Sequence, residues 1–133
     1  MRSQKLRVVI SGSFQKHFSV IKNAIEKLNY LGIEVLSPKM SEIINPGEDF
    51  VILTTDVIKD PKELEEAHLE NIRKADALYI VNPGGYIGLS AAMELGWARA
   101  FSKPVFAQET PQDVTLKQFV DGICEVEDIE KYL

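Results

Sequence analysis

The chain has 133 residues, of which 45% are hydrophobic and 26% are charged, and its formal net charge is −5 at pH 7. This length and composition predict a single domain over residues 1–133, with little room for a second. An acidic balance without a block of lysine and arginine argues against nucleic acid or a membrane as the partner. A small molecule is therefore expected.

The opening stretch MRSQKLRVVISGSF contains too short an apolar run for a secretory signal, and no segment is long enough to span a bilayer. A cytoplasmic protein is therefore expected. Cys124 is the single cysteine, and DGICEVED supplies no base beside it, so we interpret it as structural. His17 and His68 lack partners at metal-ligand spacing, so neither a metal nor another cofactor is expected.

Predicted strands and helices alternate along the chain. A strand at residues 6–10 precedes a helix at 17–31, a strand at 33–38, a loop at 39–49, and a short strand or lid edge at 50–54. The pattern continues with a helix at 60–74, a central strand at 76–83, a helix at 90–101 and a strand at 103–107. A helix at 112–121, a strand at 123–127 and a tail helix at 128–133 complete it.

This alternation predicts an α/β fold, a three-layer sandwich around a parallel, flavodoxin-like or Rossmann-like sheet of four to five strands. Ligands of such sheets bind beyond the carboxyl ends of the strands. Two glycine-containing loops follow strands here, SGSF at 11–14 and NPGGYIGLS at 82–90. We therefore expect both loops to face one crevice.

The first loop offers accessible backbone amides and two hydroxyls directly before a helix, through Ser11, Gly12, Ser13 and Phe14. This combination suits an anion such as a phosphate. The alternative is a tight turn that only connects strand and helix. The loop lacks the glycine pattern of a dinucleotide site and the lysine of a P-loop, which argues against either kind of site.

The second loop contains Gly84, Gly85 and Gly88, which allow positive φ and close approach of a ligand. Ser90 is expected to cap the next helix and to place Glu94 in its first turn, where the helix dipole favours a charged carboxylate. Such a group suits attack on an electron-poor carbon, as in glycosyl transfer. The alternative is a solvent-facing or salt-bridged glutamate.

Glycosyl transfer also needs a group that protonates the leaving group. His68 is the candidate general acid, and it shares a helical stripe with Leu64, Ile72 and Ala75. The alternative is a histidine that is part of the core. The acidic residues nearby are interpreted as caps and solvated positions: Asp56, Asp60, Glu65 and Glu66.

The stretch LENIRKADALYIVNPGGYIGLSAAMELGWARAFSKPVF resembles the nucleoside 2-deoxyribosyltransferase family, which includes the 2'-deoxynucleoside 5'-phosphate N-hydrolases. The resemblance extends from VVISGSF to about residue 107, with the expected spacing of Asp76, Pro83, Glu94 and Gly96. It implies that Glu94 is the nucleophile and that Ser11, Gly12 and Ser13 bind sugar or phosphate. Ser13 matches the serine that contacts the 5'-phosphate in the hydrolases.

Three positions depart from the family pattern. His68 replaces an acidic residue on the helix before the central strand, Val9 replaces a tyrosine, and Gly88 stands where transferases have aspartate and phosphate hydrolases have serine. Ser90 and the amides of residues 84–88 could replace part of the lost anion contact. That replacement would favour a nucleotide over a free nucleoside.

The expected function is N-glycosidic bond cleavage or base transfer on a (deoxy)nucleoside or its 5'-monophosphate, through a glycosyl-enzyme intermediate. The alternative is a non-catalytic module on the same fold that senses a nucleotide or a sugar phosphate. The resemblance further implies a homodimer or larger homo-oligomer. Trp97 and Phe101 are either an interface stripe or a core pair.

Overall fold

The computed structural model describes residues 5–38 and 60–133. The loop predicted at 39–49, the strand or lid edge predicted at 50–54 and Asp56 lie outside the described residues. No helix in the described part of the chain has the length and apolar character needed to cross a membrane.

The centre of the fold is a five-stranded sheet in which every paired neighbour is parallel. Its strands are β1 at Arg7–Gly12, β2 at Glu34–Ser37, β3 at Ala77–Val81, β4 at Val105–Ala107 and β5 at Gly122–Ile123, in the spatial order β2-β1-β3-β4-β5. β1 and β3 form the middle of the sheet because their apolar residues are buried on both faces. The predicted α/β fold is confirmed.

Helices cover both faces of the sheet. Four α-helices are described: α1 at Phe14–Tyr30, α2 at Pro61–Lys74, α3 at Leu89–Ala100 and α4 at Val114–Lys117. The core on one face joins Val8 and Ile10 to α1, and the core on the other joins Val9 to α2 and α3. Because side chains alternate along a strand, Ser11 points to the same face as Val9, towards α2 and α3.

The helix starts reflect local chemistry. α1 begins three residues earlier than predicted because the Ser13 side chain accepts a hydrogen bond from the Lys16 backbone N–H and caps it. α2 begins at Pro61 as predicted, although the Asp60 side chain makes no capping hydrogen bond. Proline suits this first position because its missing N–H would have no helical partner.

The carboxyl-terminal third differs from the prediction. The helix predicted at 112–121 spans only Val114–Lys117. The Asp121 side chain accepts a hydrogen bond from the Val105 backbone N–H at 2.8 Å, and this contact holds residue 121 against β4 instead of in the helix. The strand predicted at 123–127 is the shorter β5, and the tail is a 3-10 helix at Val126–Tyr132 whose Val126 and Ile129 are buried. Cys124 is partly buried, which raises the pKa of its thiol and agrees with a structural role.

Candidate active site

The two predicted loops begin side by side at one edge of the sheet. Gly12 at the end of β1 pairs with Val81 at the end of β3. A contact also joins the residues that follow, because Lys16 Nζ lies 4.0 Å from the centroid of the Tyr86 ring. The loops at 11–14 and 82–90 therefore lie next to each other at this edge of the sheet, as the sequence predicts.

The loop after β3 is held in place by the loop after β4. The Asn82 side chain is buried and exchanges two hydrogen bonds with the Glu109 backbone, at 2.8 and 3.0 Å. Gln112 donates to the Gly84 carbonyl from its side chain and to the Gly85 carbonyl from its backbone. These contacts preorganise the glycine loop.

Packing explains two of the predicted glycines. Gly85 has φ of 86°, and a Cβ there would lie 2.5 Å from the Thr110 carbonyl oxygen. A side chain would not fit at Gly12 or at Gly85, since a Cβ at Gly12 would lie 2.9 Å from the Val81 carbonyl oxygen. Gly84 also has positive φ, at 72°, but faces open space. Gly84 therefore remains available for ligand approach.

The beginning of α3 differs from the prediction. Gly88, not Ser90, is the N-cap residue, and Ala92 donates from its backbone N–H to the Gly88 carbonyl at 2.9 Å. Ser90 is exposed within the first turn, which contains no acidic residue. The predicted Ser90 cap and first-turn position of Glu94 are therefore wrong, because the helix begins earlier and places Glu94 in its second turn.

Glu94 is nevertheless a buried carboxylate beside the first loop. Its residue is 5% exposed, and Ser11 Oγ donates a hydrogen bond to Oε1 at 2.5 Å. His68 Nε2 lies 3.4 Å from the same oxygen. Neither of these contacts involves Oε2 of Glu94. Glu94 therefore does not face solvent. Its negative charge is stabilised by the side chains of Ser11 and His68 and not by the first turn of the helix.

α2 brings His68 to this carboxylate. Trp97 Nε1 on α3 donates to the Leu69 carbonyl on α2 at 2.9 Å, which ties the two helices together next to the site. His68 Nδ1 is hydrogen-bonded to Ser37 Oγ at 2.6 Å, so both ring nitrogens have partners. His68 is largely buried but makes polar contacts to the site, in contrast to an apolar core position.

Glu65 is the residue that the sequence interpretation missed. It lies three positions before His68, on the same side of α2, and its side chain is hydrogen-bonded to Glu94. Its Oε2 is buried and has no hydrogen-bond partner among the described residues. The interpretation of Glu65 as a solvated position is wrong, because α2 turns this residue towards α3.

The two carboxyl groups have opposite pKa shifts. Burial, the hydrogen bond to Glu94 and the negative charge of Glu94 raise the pKa of Glu65 to about 9. Burial acts on Glu94 in the same direction, but the charge on His68 and hydrogen bonds from His68, Glu65 and Ser11 outweigh it and lower the pKa of Glu94. The same surroundings therefore favour the neutral form of Glu65 and the charged form of Glu94.

The remaining predicted residues take different positions. Ser13 caps α1, and Phe14 packs partly buried against the α1 core. Val9 is fully buried, and the hydroxyl that reaches Glu94 comes from Ser11, two residues further along the same face of β1. Asp76 lies at the opposite end of β3, where it accepts from the Arg7 backbone N–H, and is structural.

Among residues 5–38 and 60–133, no group of three or more His, Cys, Asp or Glu side chains is arranged to hold a metal ion. The buried carboxylate of Glu94, the imidazole of His68 and the carboxyl group of Glu65 meet beside two preorganised loops.

Scans against protein-family models and curated proteins give no match. Solved structures do match: the CMP N-glycosidase BcmB of Clostridium botulinum has a TM-score of 0.63 and 16% identity, covering 96% of this chain and 99% of that chain. A conserved protein of Enterococcus faecalis V583 has a TM-score of 0.68 and 18% identity, covering 98% and 100% of the two chains.

A third structure is a 2-deoxyribosyltransferase from Bacillus psychrosaccharolyticus, with a TM-score of 0.64 and 18% identity, covering 96% of this chain and 92% of that chain. The likeness to all three extends over nearly the whole of this chain. It shows a shared fold, the one implied by the sequence resemblance.

Proposed function

We propose that this protein cleaves or exchanges the N-glycosidic bond of a (deoxy)nucleoside or its 5'-monophosphate, with Glu94 as the nucleophile. The observation that carries the proposal is the buried Glu94 carboxylate, held by Ser11 and His68 at the carboxyl edge of the sheet. A structure of the same fold is described as a CMP N-glycosidase and another as a 2-deoxyribosyltransferase. This agreement supports the choice of reaction class.

The first step forms a bond between a carboxylate oxygen of Glu94 and the anomeric carbon of the sugar. The carbon–nitrogen bond breaks, its electron pair leaves with the base, and His68 donates a proton to that base. Because Nδ1 of His68 is hydrogen-bonded to Ser37 and Nε2 faces Glu94, the ring is already oriented at the reacting centre.

The second step releases the sugar from Glu94. In hydrolysis, water attacks the anomeric carbon and gives a proton to His68. In base transfer, the nitrogen of a second base attacks and gives its proton to His68. Either route releases Glu94 as a carboxylate and regenerates both residues. A low pKa suits Glu94 to both steps, because the ionised carboxylate is the attacking group in the first and the leaving group in the second.

We assign the remaining predicted residues to substrate binding. Two loops supply groups that suit a 5'-phosphate or sugar hydroxyls. The first loop supplies the Ser13 hydroxyl and the amides that follow it, and the second supplies Gly84, the amide of Gly88 and Ser90. Lys16, which contacts Tyr86 between these loops, adds a positive charge that favours a monophosphate.

We also propose a homodimer or larger homo-oligomer, assembled through α3. Four large apolar side chains recur every four residues along its exposed side: Leu89, Met93, Trp97 and Phe101. A stripe of this kind is typical of an interaction surface. Its position on the helix that carries Glu94 would put a neighbouring copy next to the crevice.

The direct test is a turnover screen with ribo- and deoxyribonucleosides and their 5'-monophosphates, with and without a free acceptor base. Released or exchanged base is measured by chromatography for the wild type, Glu94→Ala and the control Glu66→Gln, which changes an exposed carboxylate on α2. Base release that Glu94→Ala abolishes and Glu66→Gln retains supports the proposal. Monophosphate binding in a thermal-shift assay without any release would favour the sensing module instead.

A further inference from the structure

We propose that Glu65 is a positioning residue for the nucleophile: its carboxylic acid keeps its proton through the reaction and donates a hydrogen bond to the Glu94 carboxylate. The inference rests on the proposed function, because it assigns a role within the same site. It differs from a second general acid, because the Glu65 proton is held and not transferred to the leaving base.

The placement of the two carboxyl groups requires a proton between them. Glu65 Oε2 is enclosed by protein, and Glu65 lies one turn before His68, whose Nε2 is 3.4 Å from Glu94 Oε1. This placement brings the Glu65 side chain within hydrogen-bonding reach of Glu94. Two carboxylates in contact within a buried site repel each other strongly, so only one of them is ionised.

The hydrogen-bond partners decide which group keeps that proton. Glu94 receives a hydrogen bond from Ser11 and faces the imidazole of His68, and both partners stabilise a negative charge. Glu65 Oε2 has no such partner in the described part of the chain. Glu94 is therefore the carboxylate, and Glu65 is the neutral acid that donates to it.

Few other charges act on Glu65 within the described residues. Glu94 faces it from α3, and His68 lies one turn later on α2. Lys62, one turn earlier, is exposed and paired with Glu66 at 3.9 Å. β1 and β2 contribute the neutral hydroxyls of Ser11 and Ser37 to the cluster. Burial and the contact with Glu94 therefore determine the protonation of Glu65.

Glutamine and alanine at position 65 separate the possible roles. A Glu65→Gln side chain still donates a hydrogen bond to Glu94 but has no proton to transfer, whereas Glu65→Ala removes the donor. We expect kcat/KM of Glu65→Gln to stay close to that of the wild type at pH 7. Glu65→Ala is expected to lower it by about 10- to 100-fold, the effect of one hydrogen bond to a charged group.

The pH profile gives a readout that a merely structural role would not change. As pH rises towards and past 9, wild-type Glu65 loses its proton and repels Glu94, whereas glutamine does not titrate. The ratio of the Glu65→Gln rate to the wild-type rate is therefore expected to rise with pH. A ratio that is far below one at every pH would overturn the proposal, and so would a Glu65→Ala enzyme with wild-type activity.

Carboxyl carbon NMR of glutamate-labelled protein tests the proton directly and needs no turnover. The Glu65 signal, identified by its loss in Glu65→Gln, is expected at the position of a neutral acid at pH 7. An ionised Glu65 at pH 7 overturns the proposal. If the wild type turns over no compound, the proposed function fails on the screen, while the NMR measurement still decides the protonation of Glu65.

Discussion

His68 Nε2 lies 3.4 Å from Glu94 Oε1, and the two side chains are only 14% and 7% exposed. This pair joins α2 to α3 at the edge of the sheet where the two glycine-containing loops meet. A buried charge is stabilised mainly by its partner and only weakly by solvent. Replacing either residue therefore leaves the buried charge of the other without its stabilising partner.

We predict that His68→Ala raises the pKa of Glu94, because the imidazole is a principal cause of its lowered value. The acidic limb of the kcat/KM profile should then move to higher pH, and the maximal rate should fall by about 100- to 10,000-fold through loss of the general acid. Steady-state kinetics from pH 4 to pH 9 measures both effects. An unmoved acidic limb would argue against the His68–Glu94 interaction.

Ser37 orients His68 from the far side of the ring. Ser37→Ala removes the hydrogen bond to Nδ1 and is expected to lower kcat by about 5- to 10-fold, the effect of one neutral hydrogen bond, with little change in KM. Ser19→Ala, which changes an exposed serine on α1, is the matched control. Equal kinetics for the two variants would show that the Ser37 contact does not serve catalysis.

Two glycines of the second loop are expected to respond differently to alanine. Gly85→Ala forces a Cβ against the Thr110 carbonyl at positive φ and should destabilise the fold by more than about 1 kcal/mol. Gly88→Ala has an ordinary φ of −76° and meets only the movable Tyr86 hydroxyl, so it should fold normally. Its expected effect is weaker monophosphate binding, measured by calorimetry beside thermal unfolding. Unchanged affinity would separate Gly88 from phosphate binding.

The regular part of the fold could be predicted from the sequence because its signals are local. The β-branched runs of β1 and β3 and the Asp60-Pro61 helix start each define an element without reference to the rest of the chain. Since the carboxyl ends of parallel strands share an edge, the meeting of the two loops follows from this pattern alone.

The contacts of Glu65 could not be predicted in the same way. Its position in α2 between exposed charged residues resembles a solvated face, and its burial depends on how α2 packs against α3. The signal that was available is the three-residue spacing to His68, which puts both side chains on one side of the helix. The carboxyl-terminal elements were missed for a related reason, because their lengths depend on long-range contacts such as Asp121 with Val105.

The shared proton of Glu65 and Glu94 should appear in the pH dependence of stability. The pKa of Glu65 rises from its ordinary 4.5 to about 9, so the folded state keeps a proton that the unfolded state releases between these values. Stability from this group is present below pH 4.5 and is lost as pH rises towards 9.

The glutamine side chain of Glu65→Gln does not titrate. The melting temperature of this variant should therefore rise relative to that of the wild type as pH increases from 6 to 9. The corresponding difference in the free energy of unfolding should change by less than about 1.4 kcal/mol per pH unit, because Glu65 is partly exposed to solvent. Glu66→Gln is the control. Parallel melting curves for Glu65→Gln and the wild type across this range would contradict a raised pKa.

The apolar stripe on α3 makes a prediction about assembly. Leu89 is 93% exposed at the first position of the helix, so Leu89→Lys removes apolar surface from the stripe without disturbing the core. Trp97 is a less suitable position for this substitution, because its indole N–H donates a hydrogen bond to the Leu69 carbonyl and its ring centroid lies 5.0 Å from that of Phe101. If α3 forms the interface, Leu89→Lys should weaken the dimer, which light scattering coupled to size exclusion measures over a range of concentrations.

Tyr30→Lys is the matched control, since Tyr30 is 91% exposed at the end of α1 and lies outside the stripe. We expect it to keep the wild-type mass at every concentration, while Leu89→Lys shifts to the mass of one chain. A wild-type protein that is monomeric throughout would contradict the oligomer itself. A dimer that Leu89→Lys leaves intact and Tyr30→Lys breaks would move the interface from α3 to α1.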